Sequence, residues 1–323
     1  MLRQQTLKQR VKFSGLGVHS GLSSVLTLIP APENTGILFC NASNPEQRFR
    51  VGTVIPEVAP HATVIKINGW YVTTIEHLMA TLRMLDVDNV VVEMRGNEVP
   101  ILDGSALPFV QGILDAGLQE QGTPRKYLTP KEKLRFADEK GRVIEIEPFA
   151  PFDTNSLCEF TQGKRDFSPV DSAKSVRPEC FAQQNVSKDE QPMNSFSISY
   201  TADFTHPLAG GTTFSAEVLP EFFIDKIAPA RTFGYLEQLP LLRQHKLAQG
   251  SSLSNTIVIG QELLNDTRFP DECVRHKVLD LIGDLGLLPY RLLGAVSASK
   301  TSHNFNRLVA EHCLQHPELW QEI

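Results

Sequence analysis

The stretch VRHKVLDLIGDL at residues 274–285 has the spacing of a single amphipathic helix. His276, Asp280 and Asp284 recur at every fourth position, so their side chains leave the helix from one face. Apolar residues cover much of the remaining surface, which indicates that the three polar groups face a buried site or an interface. We therefore predict a helix from 271 to about 285, ended by Gly286 just beyond it.

The segments outside this helix show extended and helical patterns in a similar order in both halves of the chain. In the second half we expect strands at 142–147, 195–204, 255–259 and 294–299, and helices at 216–227 and from Asn304 onward. In the first half we expect strands at 24–29, 37–40, 70–74 and 89–94, and helices at 75–85 and 107–117. The sequence thus predicts an α+β fold with an internal duplication, joined by a crossover at 126–130.

The composition is that of a globular protein, with 323 residues, of which 41% are apolar and 21% are charged. A net charge of −6 gives no basic field for nucleic acid, and no apolar run of about 20 residues predicts a transmembrane segment. Five scattered cysteines without a CxxC pair, and an N-terminus without the apolar core of a signal peptide, favour a soluble cytoplasmic protein. Residues 152–193 are polar and without periodicity, and we interpret them as a surface insertion.

Two short motifs have the residue types of a metal site. His276 and Asp280, one helical turn apart, are able to ligate one Zn²⁺, which accepts imidazole nitrogen and carboxylate oxygen. In TTIEHL at 73–78, Glu76 and His77 are adjacent and point about 100° apart on a helix, so His77 can ligate while Glu76 stands beside a bound water. Each motif alone also fits a structural interpretation: a helix-stabilising His–Asp pair, and a glutamate that favours the helix dipole beside a packed histidine.

Two further stretches offer groups for proton transfer and for binding. In SASKTSHNFN at 297–306, His303 is a candidate proton donor, and Asp284 is a candidate to hold its imidazole in one tautomer. The alternative is a surface loop histidine. In ARTFGY at 230–235, Thr232 offers a hydroxyl to an oxyanion, while Phe233 and Tyr235 offer flat apolar surfaces.

Taken together, these motifs resemble one family, the UDP-3-O-acyl-N-acetylglucosamine deacetylases, which are zinc amidases of the lipid A pathway. The resemblance extends from the first strand almost to the C-terminus, in the order of the family. It rests on GLGVHSG (15–21), PAPENTGI (30–37), TTIEHLMATL (73–82), DNVVVE (88–93), NEVPILDGSALPFV (97–110), ARTFGY (230–235), VRHKVLDLIGDL (274–285) and KTSHNFN (300–306).

The resemblance implies two domains of similar topology, 1–126 and 127–323, each with small sheets packed on a pair of helices and with the active site between them. It implies zinc, or Fe²⁺ with the same ligand types, and UDP-3-O-acyl-N-acetylglucosamine as the substrate. The implied residues are His77, His276 and Asp280 as metal ligands, Glu76 as general base, His303 as general acid tuned by Asp284, and Thr232 at the oxyanion. Those implied to contact the substrate are Phe233, Lys277 and Lys300 at the sugar nucleotide and Leu239, Ala248, Leu253 and Val258 along the acyl chain, where Thr256 is the polar lining position.

Some positions depart from the family pattern. Ser251 and Ser254 stand in a loop that usually carries glycines and an aspartate, which predicts a differently shaped acyl passage because serine adopts a positive φ less readily than glycine. The insertion at 152–193 has no counterpart, and it offers a contact to a partner or to a membrane surface. Two alternatives therefore stay open: a zinc amidase for another N-acetylated sugar or sugar nucleotide, and a non-catalytic relative that binds a sugar nucleotide or a regulatory partner.

Overall fold

Strand formation in the protein follows the alternation of its sequence. The computed structural model describes residues 2–53, 57–59, 62–67, 69–148, 196–204 and 206–323. In Ser23–Pro30 and in Val90–Arg95, buried side chains alternate with more exposed ones. Since successive side chains of a strand point to opposite faces, one face of each strand packs on the core. The insertion interpreted at 152–193 lies outside the described residues.

The first half combines small sheets with two helices. Its elements are β1 (Arg3–Leu7), β2 (Val11–Leu16), β3 (Ser23–Pro30), β4 (Ile37–Asn41), β5 (Asn44–Arg50), β6 (Glu57–Ala59), β7 (Ala62–Ile67), β8 (Trp70–Thr73), α1 (Glu76–Met84), β9 (Val90–Arg95), α2 (Leu107–Ala116) and β10 (Leu118–Pro124).

The described residues of the second half form sheets of their own and include two long helices. Its elements are β11 (Tyr127–Pro130), β12 (Leu134–Ala137), β13 (Val143–Glu147), β14 (Phe196–Thr201), β15 (Thr213–Glu217), α3 (Pro220–Phe222), β16 (Phe233–Tyr235), α4 (Leu239–Gln244), β17 (Ile257–Ile259), α5 (Glu272–Leu285), β18 (Arg291–Leu292), β19 (Gly294–Ser299), α6 (His303–Gln315) and β20 (Trp320–Glu322).

The largest sheet of each half has the same topology. The strand order is β2-β3-β9-β4-β5 in the first half and β12-β13-β19-β14-β15 in the second. In both sheets the third and fourth strands, β9 with β4 and β19 with β14, run parallel, and the other neighbours are antiparallel. The α+β fold with two similar halves is therefore confirmed, whereas the boundary at residue 126 stays a prediction.

The helices that carry the site pack at the junction of the halves. Every residue of α1 is buried, and α1 lies along α5. Apolar side chains of both helices, including Leu78 and Leu82 of α1 and Val278 and Leu281 of α5, belong to one continuous core. A helix buried on all sides needs partners for its polar side chains, and α1 and α5 bring theirs to the same place.

Three segments differ from the sequence prediction. The helix expected at 216–227 is wrong at its start, because residues up to Glu217 belong to β15 and helical structure begins only at Pro220. In the described part of the strand expected at 195–204, β14 ends at Thr201, three residues before the predicted end. The crossover at 126–130 contains β11, which pairs with β18 and β20. Across the described ranges, every helix is too short or too polar to cross a membrane.

Candidate active site

A sharp turn places Glu76 and His77 at the start of α1. Thr74 adopts a left-handed conformation with φ of 58° between β8 and the helix, and its hydroxyl donates to the buried carboxylate of Glu98 at 3.2 Å. A positive φ is uncommon for a β-branched residue and is held by its surroundings. The chain thus turns between β8 and α1, and the backbone of Glu76 in the first turn of α1 lies against Gly283 of α5.

Gly283 allows α1 and α5 to approach closely. A Cβ atom at this position would lie 2.0 Å from the carbonyl oxygen of Glu76, which is closer than any contact a side chain tolerates. The glycine therefore brings the backbone of Glu76 against α5. His276, Asp280 and Asp284 occupy successive turns of the same helix, as their spacing predicts.

His77, His276 and Asp280 form a buried cluster around one carboxylate oxygen. Asp280 Oδ1 lies 3.4 Å from His276 Nε2 and 3.7 Å from His77 Nε2. The two imidazole rings are perpendicular, with centroids 4.9 Å apart. Oδ1 is buried and has no hydrogen-bond partner among the described residues. Because an unpaired buried carboxylate oxygen is costly, this convergence of two nitrogens and one oxygen fits a metal ion.

Two neighbours orient these groups from behind. His276 Nδ1 lies 3.1 Å from the carbonyl oxygen of Ala230, which fixes the ring when Nδ1 carries the proton and leaves Nε2 free for a ligand. Lys277 Nζ donates to Asp280 Oδ2 at 2.6 Å. The lysine thereby holds one oxygen of Asp280 and leaves the other directed at the histidines.

The ionisation of the cluster suits metal binding. Burial lowers the pKa of His276 to about 3, so its imidazole is neutral. Burial opposes the ionisation of Asp280, but the positive charges of Lys277 and His303 outweigh this effect and hold its pKa well below the usual range. A neutral imidazole and a carboxylate are the forms that ligate a metal.

A second cluster of Glu76, Asp284 and His303 lies beside the first. Ser302 caps the N-terminus of α6, so His303 is its first residue, and His303 Nδ1 lies 2.9 Å from Asp284 Oδ2. Asn306, one turn further along α6, donates to the same oxygen at 2.8 Å. Asp284 is fully buried behind the imidazole, as expected for a group that orients it.

The environment changes the pKa of both groups expected to transfer protons. Burial lowers the pKa of His303, but the carboxylates of Asp284, Asp280 and Glu76 outweigh burial and raise it to about 9. Burial raises the pKa of Glu76, and the neighbouring His303 and His77 offset part of this increase. At neutral pH the site therefore holds a protonated imidazole next to a carboxylate of increased basicity.

The clusters open into a cavity of about 480 Å³. Most of the predicted residues line it, whereas Asp284 stands behind His303. Lys300 is not among the described residues that line the cavity, and its ammonium lies 3.9 Å from Asp203. Its role at the substrate stays a prediction. The predicted residues along the wall are Glu76, His77, Thr232, Phe233, Leu239, Ala248, Leu253, Val258, His276, Lys277, Asp280 and His303.

In the loop between α4 and β17, the left-handed backbone positions do not fall on the two serines that depart from the family pattern. Among the described residues, Ser251 and Ser254 keep a negative φ, and the left-handed positions fall on Lys246 and Ala248 instead. Thr256 lines the cavity, but its hydroxyl donates to Asn255 at 2.9 Å. The hydroxyl of Thr256 is therefore paired within the protein, while Ser251 and Ser252 add polar groups to the lining.

Several residues of the site escaped the sequence interpretation. Thr63 donates its hydroxyl to Asp284, and its backbone N–H lies 3.4 Å from Glu76 Oε2. No local pattern marks this threonine. Asn306 had a usable signal, because it follows His303 by three positions and faces the same side of α6. Val18 and His19, which also line the cavity, lie within the quoted GLGVHSG stretch.

Fold and site together define a class of protein with a repeated α+β unit and, at the junction of the repeats, a buried His–His–Asp cluster able to hold a metal ion. The family model described as UDP-3-O-acyl N-acetylglycosamine deacetylase matches residues 4–184 and 167–315. The chain belongs to this family.

Curated relatives named UDP-3-O-acyl-N-acetylglucosamine deacetylase are similar over the whole chain. The protein of Syntrophotalea carbinolica is 36% identical over 328 residues, which cover 100% of this chain and 91% of the relative. The protein of Pasteurella multocida is 33% identical over 330 residues, which cover 100% of this chain and 93% of the relative. The protein of Mannheimia succiniciproducens is 34% identical with the same coverage. The similarity therefore includes both halves.

Proposed function

We propose that the chain is a metal-dependent deacetylase that hydrolyses the acetamide of UDP-3-O-acyl-N-acetylglucosamine, the substrate in the names of its relatives, and so acts in lipid A biosynthesis. The observation that carries this proposal is the unpaired Asp280 Oδ1, which faces two imidazoles beside the cluster of Glu76, Asp284 and His303. A binding protein has no need of such a proton-transfer pair. The cytoplasmic location expected from the sequence stays a prediction.

His77, His276 and Asp280 would hold the metal. Two nitrogens and one oxygen form a ligand set that suits zinc and leaves a position for water, while Fe²⁺ accepts the same types. When bound, the metal supplies Lewis-acid chemistry, lowering the pKa of water and polarising a carbonyl oxygen. We propose zinc as the native ion.

Glu76 is the proposed general base. Its carboxylate is buried, lines the cavity and stands next to the ligand His77 in the chain. The increase in its pKa caused by burial makes it a better proton acceptor near neutral pH. Glu76 thus takes a proton from the attacking water.

His303 is the proposed general acid. Asp284 holds its Nδ1, so its Nε2 is the atom available to donate a proton to the departing glucosamine nitrogen. With a pKa of about 9, the imidazole is protonated at neutral pH and ready for this step. The transfer lets the C–N bond break and leaves acetate and an amine.

Thr232 is the proposed oxyanion donor. Thr232 lines the cavity, and its backbone is fixed by hydrogen bonds from Thr232 N to Gly104 O and from Ile257 N to Thr232 O, each 2.8 Å long. A donor held before the reaction stabilises developing charge without reorganisation.

The apolar residues that line part of the cavity support an acylated substrate. Leu239, Ala248, Leu253 and Val258 give part of its wall an apolar surface that suits a hydrocarbon chain. Phe233 and Lys277 stand on the wall as well, where we propose that they contact the sugar nucleotide. The UDP-sugar would then project its acetamide toward the buried cluster.

The test is acetate release from UDP-3-O-acyl-N-acetylglucosamine of several acyl lengths by zinc-loaded protein. Glu76→Gln is expected to keep one metal ion per chain and to lose at least about 100-fold in kcat, since general base catalysis contributes on this scale. His276→Ala is expected to lose the metal, as measured by elemental analysis. Release of acetate only from other N-acetylated sugars would favour the alternative amidase. No release from UDP-3-O-acyl-N-acetylglucosamine of any acyl length would contradict the proposal.

A further inference from the structure

Thr63 of β7 contacts both carboxylates of the proposed proton-transfer pair. Its side chain is buried, its hydroxyl donates to Asp284 Oδ1, and its N–H points to Glu76 Oε2 at 3.4 Å. None of the roles assigned above involves this residue. It nevertheless contacts both Glu76, the proposed general base, and Asp284, which holds the proposed general acid His303.

The two oxygens of Asp284 have separate partners. Oδ2 accepts from His303 Nδ1 and Asn306 Nδ2, both on α6, whereas Oδ1 accepts from Thr63. A carboxylate bound through one oxygen is free to rotate about its last bond. The Thr63 hydroxyl removes that freedom and so fixes the direction in which Asp284 holds the imidazole.

The backbone of Thr63 is anchored to the segment that begins α1. Its carbonyl accepts from Thr74 N at 3.0 Å, and the next residue, Val64, pairs with Thr73 of β8. Thr63 therefore has a fixed position relative to Glu76. Asp284 belongs to the other half of the chain, so the hydroxyl bond joins the halves at the site itself.

We propose that Thr63 is a positioning residue, which acts through Asp284 on His303 and sets the distance between the general acid and the general base. The inference rests on the proposed function for its catalytic consequence. It adds the claim that the threonine hydroxyl, rather than the local packing, keeps the acid in place.

Thr63→Val tests this claim, because valine keeps the shape and removes the hydroxyl. We expect kcat to fall about 10- to 100-fold, the scale of a lost hydrogen bond to a charged group. KM and metal content should stay within about two-fold, and Thr63→Ser should restore most of kcat. Should Thr63→Val fail to fold, the ratio of kcat between Thr63→Ser and Thr63→Ala measures the same hydroxyl. A ratio near one, or wild-type turnover by Thr63→Val, would overturn the inference.

A double-mutant cycle separates positioning from general damage. In a His303→Gln background, Thr63→Val should change kcat by less than about three-fold, because residues acting through one another are not additive. An undiminished loss would show an independent structural role and overturn the inference.

The imidazole of His303 provides a readout without turnover. In ¹⁵N-histidine-labelled protein, the Nδ1 proton held by buried Asp284 should exchange slowly and should exchange faster in Thr63→Val, with the signal assigned by its loss in His303→Gln. An unchanged exchange rate would overturn the inference whatever the activity. Absence of acetate from the wild type, in contrast, would contradict only the proposed function.

Discussion

At the scale of single residues, Asp280 shows how one side chain serves two purposes. Its Oδ2 binds the ammonium of Lys277 at 2.6 Å, and its Oδ1 faces two imidazoles without a hydrogen bond. Burial disfavours the ammonium, but the Asp280 carboxylate outweighs it and raises the pKa of Lys277. The lysine thus stays charged, keeps the aspartate ionised, and leaves its second oxygen for a cation.

The raised pKa of His303 predicts how kcat/KM depends on pH. Its pKa is raised to about 9, so the protonated acid is present at neutral pH and is lost as the pH rises through that value. We expect kcat/KM to decline on the basic side with a midpoint at or below about 9, since a bound cation offsets part of the effect of Asp280. The measurement is the pH profile of kcat/KM from pH 6 to 10.

The matched variant is Asp284→Asn, which removes the carboxylate that contributes most to the raised pKa of His303. Without it the imidazole loses its proton at lower pH, so the basic limb should move down by at least one pH unit. A limb that stays in place in Asp284→Asn would contradict the assignment of His303 as the acid.

At the scale of elements, the crossing of α1 and α5 determines whether the site forms. Gly283→Ala places a Cβ atom against the backbone of Glu76, which cannot be relieved by a side-chain rotation. The helices must separate, and overpacking of this kind costs about 1–3 kcal/mol. Because His77 follows Glu76 on α1, we expect metal affinity to fall and kcat to drop about 100-fold, the cost of a small misplacement of reacting groups.

Gly211→Ala is the control for this substitution, because a Cβ atom there meets only Asp271 at an ordinary 3.4 Å. It should leave metal affinity and kcat unchanged. Equal effects of the two variants, or full metal affinity in Gly283→Ala, would show that the close crossing is not required.

Local spacing predicted the elements that carry the site, and it failed where two patterns overlap. The helix at 271–285 was predictable because its apolar positions and Gly286 leave few alternatives. At 216–227 the prediction merged a strand end with the helix that follows. Thr213–Glu217 alternates and pairs with β14, and helical structure starts only where Pro220 takes the first position.

At the scale of the whole molecule, long-range contacts are what the sequence did not reveal. His276 and Asp280 share a helix face, so their pairing follows from helix geometry. Thr63 and Asp284 are 221 positions apart, and no local sequence pattern in either segment predicts their hydrogen bond. The role of Lys300 at the substrate, which rests on the family pattern alone, stays a prediction, and its ammonium lies 3.9 Å from Asp203.

The two halves are joined by a buried ionic network as well as by the site. Asp86, just after α1, binds Arg125 at 3.0 Å and Arg291 of β18 at 2.8 Å, and Arg83 donates to the carbonyl of Gly286 at 2.9 Å. These groups are largely buried. Removing one partner of a buried ion pair leaves an uncompensated charge.

We therefore expect both halves to unfold in one transition. Trp70 of β8 and Trp320 of β20 are the two tryptophans of the chain, one in each half. Urea unfolding followed by fluorescence in Trp70→Phe and in Trp320→Phe should give coincident midpoints. Asp86→Asn should lower the free energy of unfolding reported by each tryptophan by the same amount, roughly 3 kcal/mol. Glu322→Gln, which removes only the exposed pair with Lys126, should cost at most about 1 kcal/mol. Separate midpoints would instead support independent domains divided near residue 126.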